Sequence, residues 1–360
     1  MTKISIIGAG PAGNYLAYLL AKQGFDVSVF EEHKAIGMPV QCTGITTSYL
    51  GKIIELKKDF VINKVNKARI FSPDNNFIDV KLNDNIILDR ARFDQYLMEK
   101  AENAGAKFFL NHRFLDCKNN IIKIQDINAN MIKDIRTDYL IGADGPLSDV
   151  AKSAGLKAKK DFLVGIQARV RLNNQNIVEF YPFIKEYAWV VPESKDIVRI
   201  GIATRENPKK ALNDFLMKRL KKYDIINMQA GLIPIYNPKI KTQKNNVFLV
   251  GDAAKMVKST TGGGIIHGMI AAKALAESIT NKKDYNKELR TVKRDLLIHL
   301  KMRKIMDKFS LKDWNYLIKL FSKDKIKKIL ESNDRDFPSK FLVNLALTEP
   351  RLLYFLKYIF

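Results

Sequence analysis

The sequence is poor in cysteine and in acidic residues. Two cysteines, Cys42 and Cys117, among 360 residues are too few for a disulfide framework, so we expect a reducing compartment. No zinc-finger spacing and no aromatic RNA-binding motif occurs, which argues against nucleic acid as a partner. We also expect no metal site.

Long uncharged segments are scarce as well. Residues 4–21 form one such run, but the sequence GAGPAG at its centre would break a membrane-spanning helix. The apolar C-terminal end is interrupted by Glu349, Pro350 and Arg351. We therefore expect a cytoplasmic protein, either free or held peripherally at the inner face of the cell membrane.

Positive charge is abundant, with a formal net charge of +23 at pH 7. A phosphorylated substrate or an anionic membrane surface would explain this excess. Beyond residue 285 the chain is basic and has helical periodicity, so these helices are candidates for contact with anionic lipid. The alternative is a lysine-rich surface that is simply solvated.

The N-terminal segment carries a dinucleotide-binding signature. KISIIGAG predicts a short strand that runs into glycines, PAGNYLAYLLAKQG a helix that ends at Gly24, and DVSVFEE a second strand, with glycines of a GxGxxG pattern at Gly8, Gly10 and Gly13. Gly8 would make the tight turn, Gly10 would admit a pyrophosphate and Gly13 would let helix and strand pack closely. Glu31, at the end of the second strand, would accept a hydrogen bond from a ribose hydroxyl.

The rest of the chain predicts a mixed α/β fold in which two lobes interleave. A Rossmann-like domain is expected to comprise residues 1–160 and 240–285, including an excursion near 40–90. Residues 161–239 contain four segments with strand character and predict an antiparallel sheet as a substrate lobe. Residues 286–360 predict a helical region.

Two later motifs favour FAD over NAD as the dinucleotide. GADG at 142–145 and GDAA at 251–254 each follow an apolar strand, and each places an aspartate at a turn. The N-terminal GxGxxG motif, GADG and GDAA follow one another in an order that resembles the flavoprotein superfamily typified by p-hydroxybenzoate hydroxylase. The resemblance implies that Asp252 contacts the ribityl-phosphate part of FAD, and that Gly264 and Ile265 begin a helix facing the flavin.

Further FAD-binding residues follow from the same resemblance. Arg90 matches the arginine that precedes the FAD-covering helix, and Arg92 is a competing candidate; for either, a surface ion pair is the alternative. The other residues expected to bind the cofactor are Ala12, Cys42, Thr43, Phe114 and Asp144.

Three stretches resemble the geranylgeranyl reductase family more specifically. They are PVQCTGI at 39–45, YAWVVPESKDIVRIGIA at 187–203 and GDAAKMVKSTTGGGIIHGM at 251–269. The chain departs from the family pattern at four positions, which are Thr43, Val191, Ala203 and Ser259. The resemblance implies FAD-dependent saturation of isolated C=C bonds in geranylgeranyl chains of archaeal-type ether lipids or their precursors.

The implied reaction needs a proton, a hydride from reduced FAD and a dry channel for the prenyl chain. Cys42 is placed beside the flavin, where it would contact cofactor or substrate, donate a proton or only fill space. Tyr187 and Trp189 alternate along one strand face and would line the channel, where aromatic rings stabilise developing positive charge by about 0.5–2 kcal/mol each. The alternative for both rings is ordinary packing. His267 is a candidate proton relay, although helix packing explains it better.

The electron donor is expected to be external because the sequence has a single GxGxxG pattern. NAD(P)H, a ferredoxin and a deazaflavin all remain candidates. Two rival functions also remain: a flavin monooxygenase or halogenase on the same fold, and a flavin-containing prenyl-lipid binding protein without activity.

Overall fold

The computed structural model describes residues 1–156, 161–220 and 222–358. The strands follow the chain as β1 (Lys3–Ile7), β2 (Asp26–Glu31), β3 (Ile45–Thr46), β4 (Val61–Phe71), β5 (Phe77–Leu88), β6 (Lys107–Leu110), β7 (His112–Lys118), β8 (Ile121–Asp126), β9 (Met131–Arg136), β10 (Tyr139–Gly142), β11 (Phe162–Arg171), β12 (Val178–Tyr181), β13 (Tyr187–Pro192), β14 (Ile197–Thr204), β15 (Asp224–Pro234), β16 (Gln243–Lys244) and β17 (Val247–Leu249).

The α-helices are α1 (Pro11–Lys22), α2 (Leu50–Ile53), α3 (Arg90–Asn103), α4 (Asp149–Ser153), α5 (Pro208–Arg219), α6 (Ile265–Asn281), α7 (Tyr285–Glu288), α8 (Arg290–Met306), α9 (Leu311–Phe321), α10 (Asp324–Ser332) and α11 (Leu342–Thr348). Short 3₁₀ helices cover Gly251–Ala254, Pro338–Lys340 and Pro350–Tyr358.

The first sheet is mainly parallel and has the strand order β16-β17-β10-β1-β2-β6, with only β16 antiparallel to its neighbour among the described strands. β1 lies between β10 and β2, and Ile4, Ile6 and Ile7 in it are buried, as expected for an interior parallel strand. The predicted strand–helix–strand unit is confirmed as β1, α1 and β2. The carboxyl ends of five neighbouring strands, from β17 to β6, thus lie along one edge, where open α/β sheets bind ligands.

The second sheet has the strand order β15-β11-β14-β13-β12-β4-β5-β3. Its predicted strands within 161–239 are present, but β3, β4 and β5 pair with them. The expected boundary of this lobe is therefore too narrow, because residues 45–88 belong to its sheet. The connection is the parallel pairing of β12 with β4, in which Val178 pairs with Ala68. Local strand patterns carry no information about such a distant partner.

A third sheet is formed by β7, β8 and β9, and the turn between β7 and β8 contains Asn119 and Asn120, both with positive φ. The predicted C-terminal helical region is present as α7 to α11. Ser310 and Asp313 form a capping box at the start of α9. Across the described ranges, no helix has the length and apolar character needed to span a bilayer.

Candidate active site

The glycine turn after β1 is built as the first motif predicts. Gly8 has φ +99°, a left-handed conformation, and its amide donates to the carbonyl of Phe30 at 2.8 Å. A Cβ on Gly13 would lie 2.2 Å from the Gly8 carbonyl oxygen, so helix and strand approach too closely for any side chain. Around Gly10, by contrast, a Cβ would meet no described atom within 4 Å.

Glu31 lies where β2 ends, and its carboxylate faces the same turn. Its Oε2 accepts from the amide of Ala9 at 2.8 Å, and its Oε1 contacts Nδ1 of His33 at 2.6 Å. The carboxylate is thereby fixed at the carboxyl edge of the sheet, next to the open space at Gly10. This is the position that a ribose-binding carboxylate needs.

The two aspartates of the later motifs reach the same edge. Burial raises the pKa of Asp144 to about 6 against opposing hydrogen bonds, and its Oδ1 is buried without a hydrogen-bond partner in the described structure. Burial also raises the pKa of Asp252 to about 6, while Arg90 acts to lower it. The Oδ1 of Asp252 faces Gly264, the residue before α6. Within the described residues Asp144 therefore keeps one oxygen without a partner, while its Oδ2 accepts from the amide of Val150 at 3.0 Å.

Arg90 rather than Arg92 points into this region. The Arg90 guanidinium donates to Asp94, with Nη2 3.0 Å from Oδ2, whereas Arg92 is exposed. Burial lowers the pKa of Arg90, but Asp94 and Cys42 outweigh burial and raise it overall. The structure therefore brings Arg90, Cys42 and Asp252 together, and the ion pair of Arg90 is a buried one rather than a surface contact.

Hydrogen bonds from the second sheet fix the loop that carries Cys42. The Thr43 hydroxyl donates to Oε1 of Gln167 at 2.8 Å, and Nε2 of Gln167 donates to the carbonyl of Cys42 at 3.3 Å. The guanidinium of Arg199 donates to the carbonyls of Thr43 and Leu88. The Cys42 thiol accepts from the amide of Gly44 at 3.3 Å.

A cavity of about 390 Å³ lies against this loop, and one face of the second sheet lines it. Tyr187 and Trp189 both contribute to the wall, with ring centroids 6.0 Å apart, as their alternation along β13 predicts. The Tyr187 hydroxyl is buried, has no hydrogen-bond partner within the residues described and faces Gly262. Cys42 and Gly262 line the same cavity, so the two loops meet where the aromatic wall begins.

A buried polar cluster lies behind the loop at 258–264. The Lys258 ammonium pairs with Asp336, and Oδ2 of Asp336 accepts from the hydroxyl of Thr47 at 2.8 Å. Burial raises the pKa of Asp336, but Lys258 outweighs it and holds that pKa below its ordinary value. His267 is 1% exposed and is not among the cavity-lining residues. The buried position of His267 on α6 is consistent with a packing role.

The remaining predicted site residues have different surroundings. Ala12 packs between Gly251 and Gly268, and Ile265 is the first residue of α6. Phe114 is 4% exposed within the main core, so its contribution to cofactor binding stays a prediction. Cys117 lies on β7, where it is half-buried.

Sequence reasoning missed Gln167, Arg199, Lys258 and Asp336. A weak signal existed for Gln167 and Arg199, because both are polar residues inside otherwise apolar strands and are buried. Lys258 and Asp336 had no such signal, since their pairing depends on contact between segments that lie 78 residues apart.

These features fit FAD. The open space at Gly10, the N-terminus of α1 without a side-chain cap and the Glu31 carboxylate suit a dinucleotide. The unpartnered Asp144 oxygen and the buried Asp252 carboxylate provide acceptors for hydroxyl groups. The N-terminus of α6 presents a positive dipole end next to Asp252.

Comparison with known proteins supports FAD as the cofactor. The family described as an FAD binding domain matches residues 1–175. A crystal structure of a geranylgeranyl bacteriochlorophyll reductase-like protein from Thermoplasma acidophilum has a TM-score of 0.85 and 25% identity, covering 99% of both chains. A flavin-dependent brominase shares the fold alone, with a TM-score of 0.66 and 17% identity over 90% of this chain and 88% of its own. The fold and site therefore define an FAD-dependent oxidoreductase.

Curated relatives specify the family. A digeranylgeranylglycerophospholipid reductase from Methanosarcina mazei is 32% identical over 76% of this chain and 74% of its own length. Its counterpart from Methanocaldococcus jannaschii is 29% identical over 98% of this chain and 97% of its own. The chain belongs to the digeranylgeranylglycerophospholipid reductase family.

Proposed function

We propose that this protein saturates isolated C=C bonds in the geranylgeranyl chains of archaeal-type ether lipids or their precursors. The observation that carries the proposal is the shared cavity, in which the Cys42 loop and Gly262 meet the aromatic wall of Tyr187 and Trp189. Bound FAD, once reduced, supplies the hydride for such a reaction. The names of the family relatives support a geranylgeranyl lipid as substrate.

The protein residues have distinct tasks in this proposal. Gly8, Gly10, Glu31, Asp144 and Asp252 hold the cofactor at the edge of the first sheet. Apolar residues of the second sheet bind the prenyl chain and exclude water from it.

Tyr187, Trp189 and Cys42 lie around the reacting bond in this proposal and act on the substrate. Tyr187 and Trp189 present ring faces to the carbon that develops positive charge, which each ring stabilises by about 0.5–2 kcal/mol. Cys42, fixed by Thr43 and Gln167, contacts cofactor or substrate where the loops meet.

An anaerobic reduction assay tests the proposal. The FAD-loaded protein is reduced with dithionite, incubated without oxygen with a geranylgeranyl diether lipid and examined by mass spectrometry. We expect a mass gain of two hydrogens for each double bond saturated. A monooxygenase or halogenase would give no product without oxygen, and a lipid-binding protein without activity would leave the lipid mass unchanged and its flavin reduced.

The C-terminal segment supports peripheral contact with an anionic membrane. Val343 and Leu347 are 70% and 75% exposed, and Leu353 and Leu356 are also exposed on the following 3₁₀ helix. Arg351 lies between them in the sequence, and Lys357 directly follows Leu356. Exposed apolar side chains flanked by positive charge are typical of segments that bind a lipid surface.

A vesicle-binding experiment tests this contact. Sedimentation with vesicles that contain phosphatidylglycerol should retain the protein at low salt and release it as salt rises. Equal binding to neutral vesicles, or binding that is insensitive to salt, would contradict the proposal. The electron donor is external in this account, and dithionite replaces it in the assay above.

A further inference from the structure

The two ends of the cavity differ in chemistry. One end is formed by the Cys42 loop and by Gly262 and Gly263, next to the cofactor-binding residues. The other end is formed by β5 and by the segment that follows α10, and Lys81 and Arg335 line it. The wall between the ends is apolar and includes Phe180, Val178, Val191, Ala68 and Ile70. The cavity therefore leads from the Cys42 loop to an end that carries charged side chains, where Glu331 and Asp334 lie beside the two cations.

The cavity crosses the sheet rather than following a strand. Its lining residues come from β15 at one side and from β5 at the other, and these strands are six steps apart in the strand order. With a spacing of about 4.8 Å between neighbouring strands, the lined path is about 29 Å long. An extended tail with a separate head matches this shape better than a compact substrate does.

The cations at the far end form no ion pair within the described residues, although Arg335 helps to lower the pKa of the nearby Asp336 carboxyl, which pairs with Lys258. Neither Lys81 nor Arg335 takes part in a salt bridge with any residue in the described ranges. With the Asn85 amide oriented so that its oxygen faces Arg335, that oxygen accepts from Nη2 at 3.0 Å, which holds the guanidinium in place. A half-buried arginine with a neutral partner can form charge-assisted hydrogen bonds with an anion.

Acidic residues at the same end are already engaged. Glu331 accepts from the backbone amide of Lys81 at 3.0 Å, and Asp334 accepts from the amide of Asp336 at 2.9 Å. Their charge reduces the positive potential at this end without neutralising Lys81 or Arg335 directly. Replacing Glu331 with glutamine keeps an acceptor for the amide and removes one negative charge.

We propose that Lys81 and Arg335 form the binding site for the anionic phosphate head of the lipid, with the prenyl tail lying across the second sheet toward Cys42. This inference rests on the proposed function, since it assigns the orientation of the same substrate. It places the head at β5 and α10, and it places the reacting part of the tail at the opposite end of the cavity.

The test compares two ligands that share one tail. Geranylgeranyl phosphate and geranylgeraniol are titrated into the FAD-loaded protein in the same detergent, and affinities are measured by calorimetry. We expect the phosphate to bind about tenfold more tightly than the alcohol, the size expected of a charge-assisted hydrogen bond. The double variant Lys81→Gln/Arg335→Gln should lose this preference and bind the alcohol as before, whereas Glu331→Gln should increase the preference.

Matched controls distinguish a specific phosphate-binding site from a general effect of the positively charged surface. The variant Lys118→Gln/Arg136→Gln removes two exposed cations from the third sheet and should leave the preference unchanged. Higher salt should weaken binding of geranylgeranyl phosphate to the native protein but not binding of geranylgeraniol. This measurement uses the native protein alone and so does not depend on whether a variant folds. Arg335→Lys, which keeps the charge, should retain part of the preference.

Three results would overturn the assignment. Equal affinity for phosphate and alcohol in the native protein would show that no head site exists, while the proposed function would survive if the tail still binds. Saturable binding of inorganic phosphate alone, abolished in the Lys81/Arg335 variant, would assign the cations to free phosphate. If neither prenyl ligand binds, the inference and the proposed function both fail.

Discussion

The hydroxyl of Thr43 donates a 2.8 Å hydrogen bond to the side-chain oxygen of Gln167, and this bond joins the Cys42 loop to the second sheet. Thr43 is one of the four positions at which the sequence departs from the pattern of the family that it resembles. Gln167 is 4% exposed and also accepts from the indole nitrogen of Trp189 at 3.3 Å. One glutamine therefore connects the loop at the reaction site to the aromatic wall of the cavity.

Removal of this hydroxyl should weaken the fold locally. Thr43→Val keeps the side-chain shape but leaves Gln167 with one donor fewer, so we expect a loss of about 1 kcal/mol in the free energy of unfolding. Urea denaturation of the FAD-loaded protein measures the change. Thr43→Ser keeps a hydroxyl and should be close to the native protein; if both variants are equally unstable, the hydrogen bond is not the cause.

Alanine at Gly10 should impair FAD binding, whereas alanine at Gly13 should impair the stability of the fold. Gly10→Ala places a methyl group where no described atom lies within 4 Å, so the protein should fold but bind FAD weakly, because the methyl group occupies the approach to α1. Gly13→Ala places it 2.2 Å from the Gly8 carbonyl oxygen and should destabilise the fold itself. Flavin absorbance per protein and thermal unfolding of the cofactor-free form separate the two effects. Normal flavin content in Gly10→Ala would contradict the assignment.

The parts of this structure that depend on local sequence were predictable. Gly8, Asp144 and Asp252 each follow an apolar strand directly, and parallel strands bring such positions to one edge, so three short motifs were enough to predict that edge. The alternation of Tyr187 and Trp189 likewise predicted a shared face. These signals are local because strand geometry fixes which neighbours face the same way.

The parts that depend on distant pairing were not predictable. The parallel pairing of β4 with β12 moves residues 61–88 into the second sheet, and no pattern within either strand reveals its partner. Asp336 reaches Lys258 only because the C-terminal segment packs behind the loop at 258–264. Both features add residues to the cavity that the motifs alone do not contain.

Stability should fall with acidification through His267. Burial lowers its pKa to about 4, and the charged or titratable groups around it are Asp336, Lys258, Asp295 and His299. Between the ordinary value of about 6.5 and this folded-state value, the unfolded chain binds a proton that the folded chain does not. The free energy of unfolding therefore decreases as pH falls through this range, by up to about 1.4 kcal/mol per pH unit for this group.

A comparison with His267→Leu isolates that contribution. Unfolding free energies are measured by urea denaturation at intervals between pH 7 and pH 4. The difference between native protein and variant should change with pH in this range and stay constant above it. A constant difference throughout would show that His267 does not titrate as described.

Cys42 should affect turnover more than cofactor content. Its thiol accepts from the Gly44 amide at 3.3 Å, and serine can accept the same hydrogen bond. Cys42→Ser should therefore keep its FAD and lower the rate of lipid reduction modestly, because a contact changes while the loop stays in place. A loss of about 10²–10⁴-fold would instead assign proton transfer to the thiol. Full turnover with normal FAD content in this variant would exclude a catalytic role for Cys42.

Gly201 should be essential for the position of Trp189. The indole packs against this glycine, and a Cβ there would lie 2.3 Å from a ring carbon of Trp189 and 2.7 Å from Cβ of Gln167. Gly201→Ala must displace the ring, so we expect a loss of about 1–3 kcal/mol in unfolding free energy, the usual cost of overpacking. The Trp189 hydrogen bond to Gln167 should break, which weakens prenyl-lipid binding.

Gly165→Ala is the matched control, because its methyl group would meet only the flexible end of Ile233, at 2.9 Å, within the same cavity. This variant should be the less destabilised of the two. A smaller ring provides the second check, since Trp189→Phe combined with Gly201→Ala should recover part of the stability that Gly201→Ala loses alone. Additive effects in that double-mutant cycle, measured by urea denaturation, would show that the clash with Trp189 is not what Gly201 prevents.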